Sequence, residues 1–190
     1  MVLVPKQACD RGSTGGLVVR KLICMVLAAT LLWLVAGVAA PAPAAAFDRQ
    51  ATENSLFDLI NNARAKRGLA LLRLNTALDR AALAHSCDML SHGYFSHLSS
   101  GGGSYCARLL RTGYGRSGYR SWAASEVIGW GAGTRSTPRA VFASWMRSSV
   151  HRSALLGKRW RDVGIGAAAG RFRGLSGAVL FTVDLGRRTK

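Results

Sequence analysis

Apolar residues along this chain first run unbroken and then become periodic. Leu22 to Ala40 reads LICMVLAATLLWLVAGVAA, without a charge, between Arg20-Lys21 and the small-residue stretch Pro41-Ala-Pro-Ala-Ala-Ala46. A basic start, an apolar middle and a small-residue exit form the three-part pattern of an export signal. Ala44 and Ala46 fit the small-x-small cleavage rule, which makes Phe47 the first mature residue. Nineteen apolar residues also suffice to span a bilayer as an uncleaved anchor. Both readings stay open, and both deliver the rest outside the cytoplasm. The expected organisation is 1–46 as signal peptide or anchor and 47–190 as the exported domain.

Beyond Phe47 the pattern changes to helical spacing. Leu56, Phe57, Ile60 and Ala63 share one face of a helix predicted over Glu53–Arg67, with Asn54 or Ser55 able to cap it and Gly68 to end it. Thr76 and Asp79 form a capping box, and Leu78, Ala82, His85 and Met89 then make an apolar stripe up to Gly93. A flexible Gly101–Ser104 loop leads to a short helical stretch, Cys106–Arg111. Glu126–Trp130 predicts a short strand. Thr137-Pro138 starts a third helix with an apolar face of Val141, Phe142, Trp145 and Met146. Val163–Ala167 and Ala178–Val183 predict two strands joined by a loose glycine-rich bridge, 170–177. Helices early and strands late point to an α+β domain rather than to repeated βαβ units.

Charge and cysteine content narrow the setting. The 190-residue chain carries 26 Lys+Arg against 9 Asp+Glu, a formal net charge of +17, with 49% apolar residues. That apolar share excludes a disordered basic tail. Loss of the leader removes Lys6, Arg11, Arg20, Lys21 and Asp10, which takes the charge from +17 to +14. The excess is mostly arginine, a permanent charge suited to anionic membranes or wall polymers. Nucleic acid is a poor candidate: the chain is exported, and its tryptophans fit a core better than a base-stacking platform. Of the four Cys, Cys9 and Cys24 leave with the leader. Cys87 and Cys106 remain, expected to form a disulfide outside the cytoplasm, closing a loop worth about 3 kcal/mol, or else to be two buried thiols.

The titratable residues offer one candidate cluster. His85 lies on the apolar stripe, where a core imidazole satisfied by one hydrogen bond is the plainer role. His92 sits at a helix end and favours its negative dipole. His97 follows Tyr94-Phe95-Ser96, and His151 closes Trp145-x-x-Ser148-x-x-His151. Glu126 opens an apolar strand, where a lone carboxylate is costly to bury. It is satisfied either by one of many arginines, the simpler partner, or by a His97–Glu126–His151 cluster suited to a divalent metal or to acid–base work.

Taken together, these strings resemble the CAP superfamily: the cysteine-rich secretory, antigen 5 and pathogenesis-related 1 domain, in its bacterial secreted form. The similarity covers nearly all of 47–190. It rests on Asn61–Gly68 with Leu72–Asn75, Ala84–Met89, Gly93–His97, Ser125-Glu126-Val127, Trp145–Arg152, Asp162–Gly166 and Phe181–Gly186. The resemblance implies a three-layer α-β-α sandwich with a central antiparallel sheet and a cleft. By the resemblance, His97 and His151 take the family's two His positions, as ligands for zinc or magnesium, and Glu126 takes its Glu. No residue matches the second acid of eukaryotic members. Val127, Val150 and Ala154 replace an Asn, a Gly and an Asn, which removes candidate hydrogen bonds around the cleft.

A fold does not fix a function. The family implies a binding module for a lipid, sterol or cell-wall ligand, with the basic surface meeting an anionic membrane or wall polymer. The alternative is a metal-assisted hydrolase with His97 and His151 as ligands and Glu126 as general base. Two protein ligands fall one short of the usual catalytic zinc set. Ser96, Ser125 and Ser148 lie outside any G-x-S-x-G turn. Binding is therefore favoured over catalysis.

Overall fold

The computed structural model describes residues 46–190. Almost all of the expected signal or anchor segment lies outside the described residues, and Phe47–Lys190 form a compact unit of their own. No helix among the described residues is long and apolar enough to cross a membrane.

Helix α1 spans Arg49–Ala65, and Asp48 caps it by accepting from the Ala51 amide at 2.9 Å. The cap therefore lies nearly two turns before the expected Asn54 or Ser55, because Asp48 already offers the first turn an acceptor. Helix α2 (Thr76–His92) is capped by Asn75, which accepts from Ala77 and Leu78. The expected Thr76–Asp79 box does not form. Asp79 instead accepts from the Ile165 amide at 3.0 Å. Helix α3 spans Tyr105–Arg111. Thr137 and Pro138 open α4 (Pro138–Arg147) as expected, and α5 (Ser149–Leu155) follows at once.

Four strands form one sheet in the order β1-β3-β4-β2: β1 Arg73–Leu74, β2 Ser121–Gly131, β3 Asp162–Phe172 and β4 Leu175–Thr189. The three long strands are antiparallel, whereas the two-residue β1 pairs parallel to β3, so the sheet is mixed. The expected loose hairpin tip is tight. Arg173 (φ 48°) and Gly174 (φ 82°) make a two-residue turn between Phe172 and Leu175. Positive φ at both central positions matches the right-handed twist of the flanking strands and lets each strand run further than the hydrophobic pattern alone indicates.

Strand alternation divides the core into two. Val127, Ile165, Phe181, Val183 and Leu185 face Leu56 and Ile60 of α1, Val141 and Trp145 of α4 and Leu155 of α5. The opposite face carries Ile128 and Leu180 against Met89 of α2, with Leu78 and Ala81 of α2 meeting Leu109 and Tyr114. This is the expected α+β sandwich. Helix α2 lies directly on β3: a Cβ at Gly164 or Gly166 would fall within the backbone of Leu78-Asp79 or Ala82-Leu83. Arg64, fully buried, ties α1 to the segment before β3 by donating to the carbonyls of Ala70, Leu155 and Gly157.

Candidate functional site

Glu126 lies on the α2 face of β2, directly opposite Asp184 of β4. Its carboxylate is almost wholly buried, and both oxygens are engaged. Oε2 accepts a short charge-assisted bond from Arg108 Nη2, and Oε1 lies 2.7 Å from His97 Nδ1. His85 Nε2 stands 4.0 Å from the same Oε1. The charge is thus offset by α3's arginine and by imidazole, so the arginine partner and the histidine contact both form.

The loop bearing His97 is fastened from several sides. Gly93 (φ 69°) ends α2 in the left-handed conformation and turns the chain back over the helix. Asp88 accepts from the Tyr94 hydroxyl, from the Ser100 amide at 2.9 Å and from the Ser100 hydroxyl at 2.7 Å. Burial alone would raise the Asp88 pKa, but those donors and the nearby His92 hold it down at about 2. His85, fully buried, lies with Nε2 2.8 Å from the Ser96 carbonyl, and Arg108 donates to the His97 carbonyl and the Ser99 hydroxyl, each at 3.0 Å. Burial pushes the His85 pKa down, and the Glu126 charge opposes it. His85 is therefore a neutral donor to the loop, the core role its place on the stripe suggested.

Asp184 is the unusual member. It has no solvent exposure, and neither carboxyl oxygen has a hydrogen bond of acceptable geometry among the described residues. Burial raises its pKa well above the ordinary carboxylate range, the neighbouring Glu126 charge adds to the rise, and Arg108 opposes it. Burial and the Glu126 charge thus both favour the protonated form of Asp184.

On the solvent side of His97 opens a cleft of about 780 Å³. Ile128 and Trp130 of β2 and Val141 and Trp145 of α4 supply apolar lining, and His97 and His151 both border it. Gly129 lies between those elements with no room for a side chain, since its Cβ would stand 2.6 Å from a Val141 methyl. His151 sits within α5, and its Nδ1 lies 2.8 Å from the Ser148 hydroxyl. Arg135 and Arg147 add positive charge to the lining. Glu126 is bonded to His97 and does not line the cleft.

With the Glu126 carboxylate as acceptor, His97 carries its proton on Nδ1 and leaves Nε2 bare; Ser148 permits the same tautomer for His151. Each imidazole is thus steadied through one ring nitrogen and leaves the other free to face the cleft. No group of three or more His, Cys, Asp or Glu among the described residues could hold a metal. Cys106 is a free thiol, so the expected Cys87–Cys106 disulfide is not formed. The reason is rotational. Helix α3 packs on the side of α2 that carries Leu78 and Ala81 and continues to His85, while Cys87 lies about 200° further round α2.

An α+β sandwich with two imidazoles on one cleft and a buried Glu behind one of them defines a class of domains. The chain belongs to the cysteine-rich secretory protein (CAP) family, which matches residues 57–184. It is 33% identical over 116 residues to the uncharacterized protein YkwD of Bacillus subtilis, covering 61% of this chain and 42% of the relative. It is likewise 33% identical over 115 residues to the uncharacterized membrane protein YlbC of the same organism, covering 60% of this chain and 31% of the relative. The chain therefore spans less than half the length of these relatives. Among solved structures, an extracellular SCP-domain protein of Bacillus anthracis is similar with TM-score 0.60 and 27% identity, over 75% of this chain and 41% of that one. An outer surface protein of Borrelia burgdorferi shares the fold, with TM-score 0.63 and 17% identity over 75% and 97% of the two chains.

Arg108 and Asp184 were not among the residues singled out from sequence. Asp184 carries a legible signal: in Val179–Leu185 alternation sends Val183 and Leu185 to one face, which leaves Asp184 on the other buried face. Arg108 carries none, being one of many arginines.

Proposed function

We infer that 47–190 is an extracytoplasmic binding domain whose cleft takes a small ligand with an apolar body and a polar end. The observation that carries this reading is the division of labour at Glu126. Its oxygens are both held, by His97 and Arg108, so the carboxylate serves to orient an imidazole rather than to take a proton from water. The cleft in front is apolar-floored, of a size ordinary for small-molecule sites, and bordered by cations and imidazoles. Export is supported by the leader pattern and by the likeness to an extracellular protein. A divalent cation held by His97 and His151 would add positive charge beside the cleft without being needed for the ligand's apolar body to bind.

The test uses a fluorescent fatty acid and a labelled sterol on the full chain, with Ala143→Trp to fill the cleft. Saturable binding that falls at least tenfold in Ala143→Trp, and persists in His97→Ala and His151→Ala, supports the reading. Zinc is expected to raise the Tm of the wild type, and either His variant to abolish that rise. No saturable binding of either probe, with no response to zinc, overturns the proposal.

A further inference from the structure

The cleft accounts for little of the molecule's positive charge. Far along β2 from it, where β2 begins and β4 ends, the chain gathers cations at one end of the sheet. Arg187 pairs in register with Ala123, the Arg120 amide donates to the Thr189 carbonyl at 2.9 Å, and the Arg161 amide donates to the Gly186 carbonyl at 3.0 Å. Arg161 Nη1 donates to the Lys158 carbonyl at 2.8 Å. Arg120, Lys158, Arg159, Arg161, Arg187 and Lys190 are all exposed. Asp162, the acid next to Arg161, is already taken up by the Tyr114 hydroxyl at 2.8 Å.

Two of these cations, Arg159 and Arg187, line a groove of about 330 Å³ together with Trp122 and Thr189. At about 3.4 Å per residue, this groove lies some 20 Å along β2 from the cleft, so it is a separate surface. Both lining cations are guanidinium, whose planar fork matches phosphate oxygens two at a time. Its large aromatic, Trp122, is half-buried and set edge-on against Tyr114, so the groove offers little to insert among lipid tails. A groove between two guanidiniums, flanked by further cations, suits successive phosphates of a chain.

We propose that this end of the sheet is a binding surface for a linear phosphate polyanion, with Arg159 and Arg187 as its central contacts. The surface works independently of the cleft, and its ligand binds by releasing counterions, so affinity falls steeply with salt. The domain would thereby be held on an anionic polymer while the cleft stays open.

The test measures binding of the full chain to inorganic polyphosphate across a salt series. The wild type is expected to bind at low salt. Arg159→Ser/Arg187→Ser is expected to weaken binding at least tenfold and to lower the slope of log K against log salt by about two. Arg139→Ser/Arg171→Ser, a control with the same charge loss elsewhere, is expected to change binding less than threefold. Should the first variant fold poorly, Arg120→Ser/Arg187→Ser gives the same readout while keeping the Arg159–Trp160 stacking. Equal loss in control and groove variants, or binding to anionic phospholipid vesicles without binding to polyphosphate, overturns the proposal. Either failure leaves amphiphile binding in the cleft untouched, so the two readings are separately decided.

Discussion

Glu126 keeps a negative charge where water does not reach, and its neighbours show how. Arg108 compensates the charge from α3 and carries the His97 loop on its other nitrogen. Removing one partner of a buried ion pair leaves the other uncompensated, so Arg108→Ala is expected to cost about 3–5 kcal/mol. Arg108→Lys keeps the charge but loses the planar fork, and is expected to fall between. Urea denaturation of the two variants checks the ranking; an Arg108→Ala loss under about 1 kcal/mol contradicts it.

Asp184 and Asp88 make opposite predictions for pH. The raised pKa of Asp184 means that the folded state binds the extra proton. Asn, which never ionises, is therefore expected to outperform Asp184 at pH 8, with the advantage closing as pH falls towards the unfolded value, about 4. Asp88, held at about 2, contributes stability that is present above the unfolded value and lost as pH falls towards 2. Asp88→Asn is thus expected to be less stable than wild type at neutral pH and to match it in strong acid. Melting curves from pH 2 to 8 test both signs, and parallel wild-type and variant curves refute them.

At the scale of elements, the closest packing is α2 on β3. Gly166 is needed because any side chain would meet the helix backbone, which cannot yield as a side-chain tip can. Gly166→Ala is expected to destabilise by about 3 kcal/mol or more. Gly170→Ala, whose Cβ would meet only the end of Leu90 at 3.1 Å, is expected to cost far less. Comparable losses at the two positions would show that the helix can shift. Beside this contact, Glu53 and Asp79 each accept from an amide of β3, at Ala167 and Ile165, where β1 is too short to pair. Two carboxylates thereby blunt an open sheet edge.

These elements also show what the chain discloses before it is folded. Helical periodicity located α2 and α4, and Thr137-Pro138 marked the start of α4, because those signals depend on neighbours in sequence. The cap of α2 was misplaced because Asp79 had a second acceptor role, to a strand amide 86 residues away. The hairpin tip was expected to be loose because Arg173 gives no hint of a positive φ; the sheet's twist imposes it. At the site, the family resemblance singled out His97, Glu126 and His151, and the fold brings His97 onto Glu126 and sets His97 and His151 on one cleft. The Cys87–Cys106 expectation failed because counting cysteines does not give their angle around a helix.

At the scale of the molecule, one sheet presents two separate surfaces. An imidazole-bordered apolar cleft lies towards the end of β2, and an arginine-rich groove lies at its start. The cleft depends on a buried carboxylate fixing an imidazole that reaches solvent. The most direct test of that claim is the imidazole ¹⁵N spectrum of the full chain at neutral pH, in wild type and Glu126→Gln. The account predicts that His97 carries its proton on Nδ1 in the wild type, that Glu126→Gln erases this tautomer preference, and that zinc shifts Nε2 of His97 and His151 together. A wild-type His97 with its proton on Nε2, or a spectrum indifferent to Glu126→Gln, would contradict it.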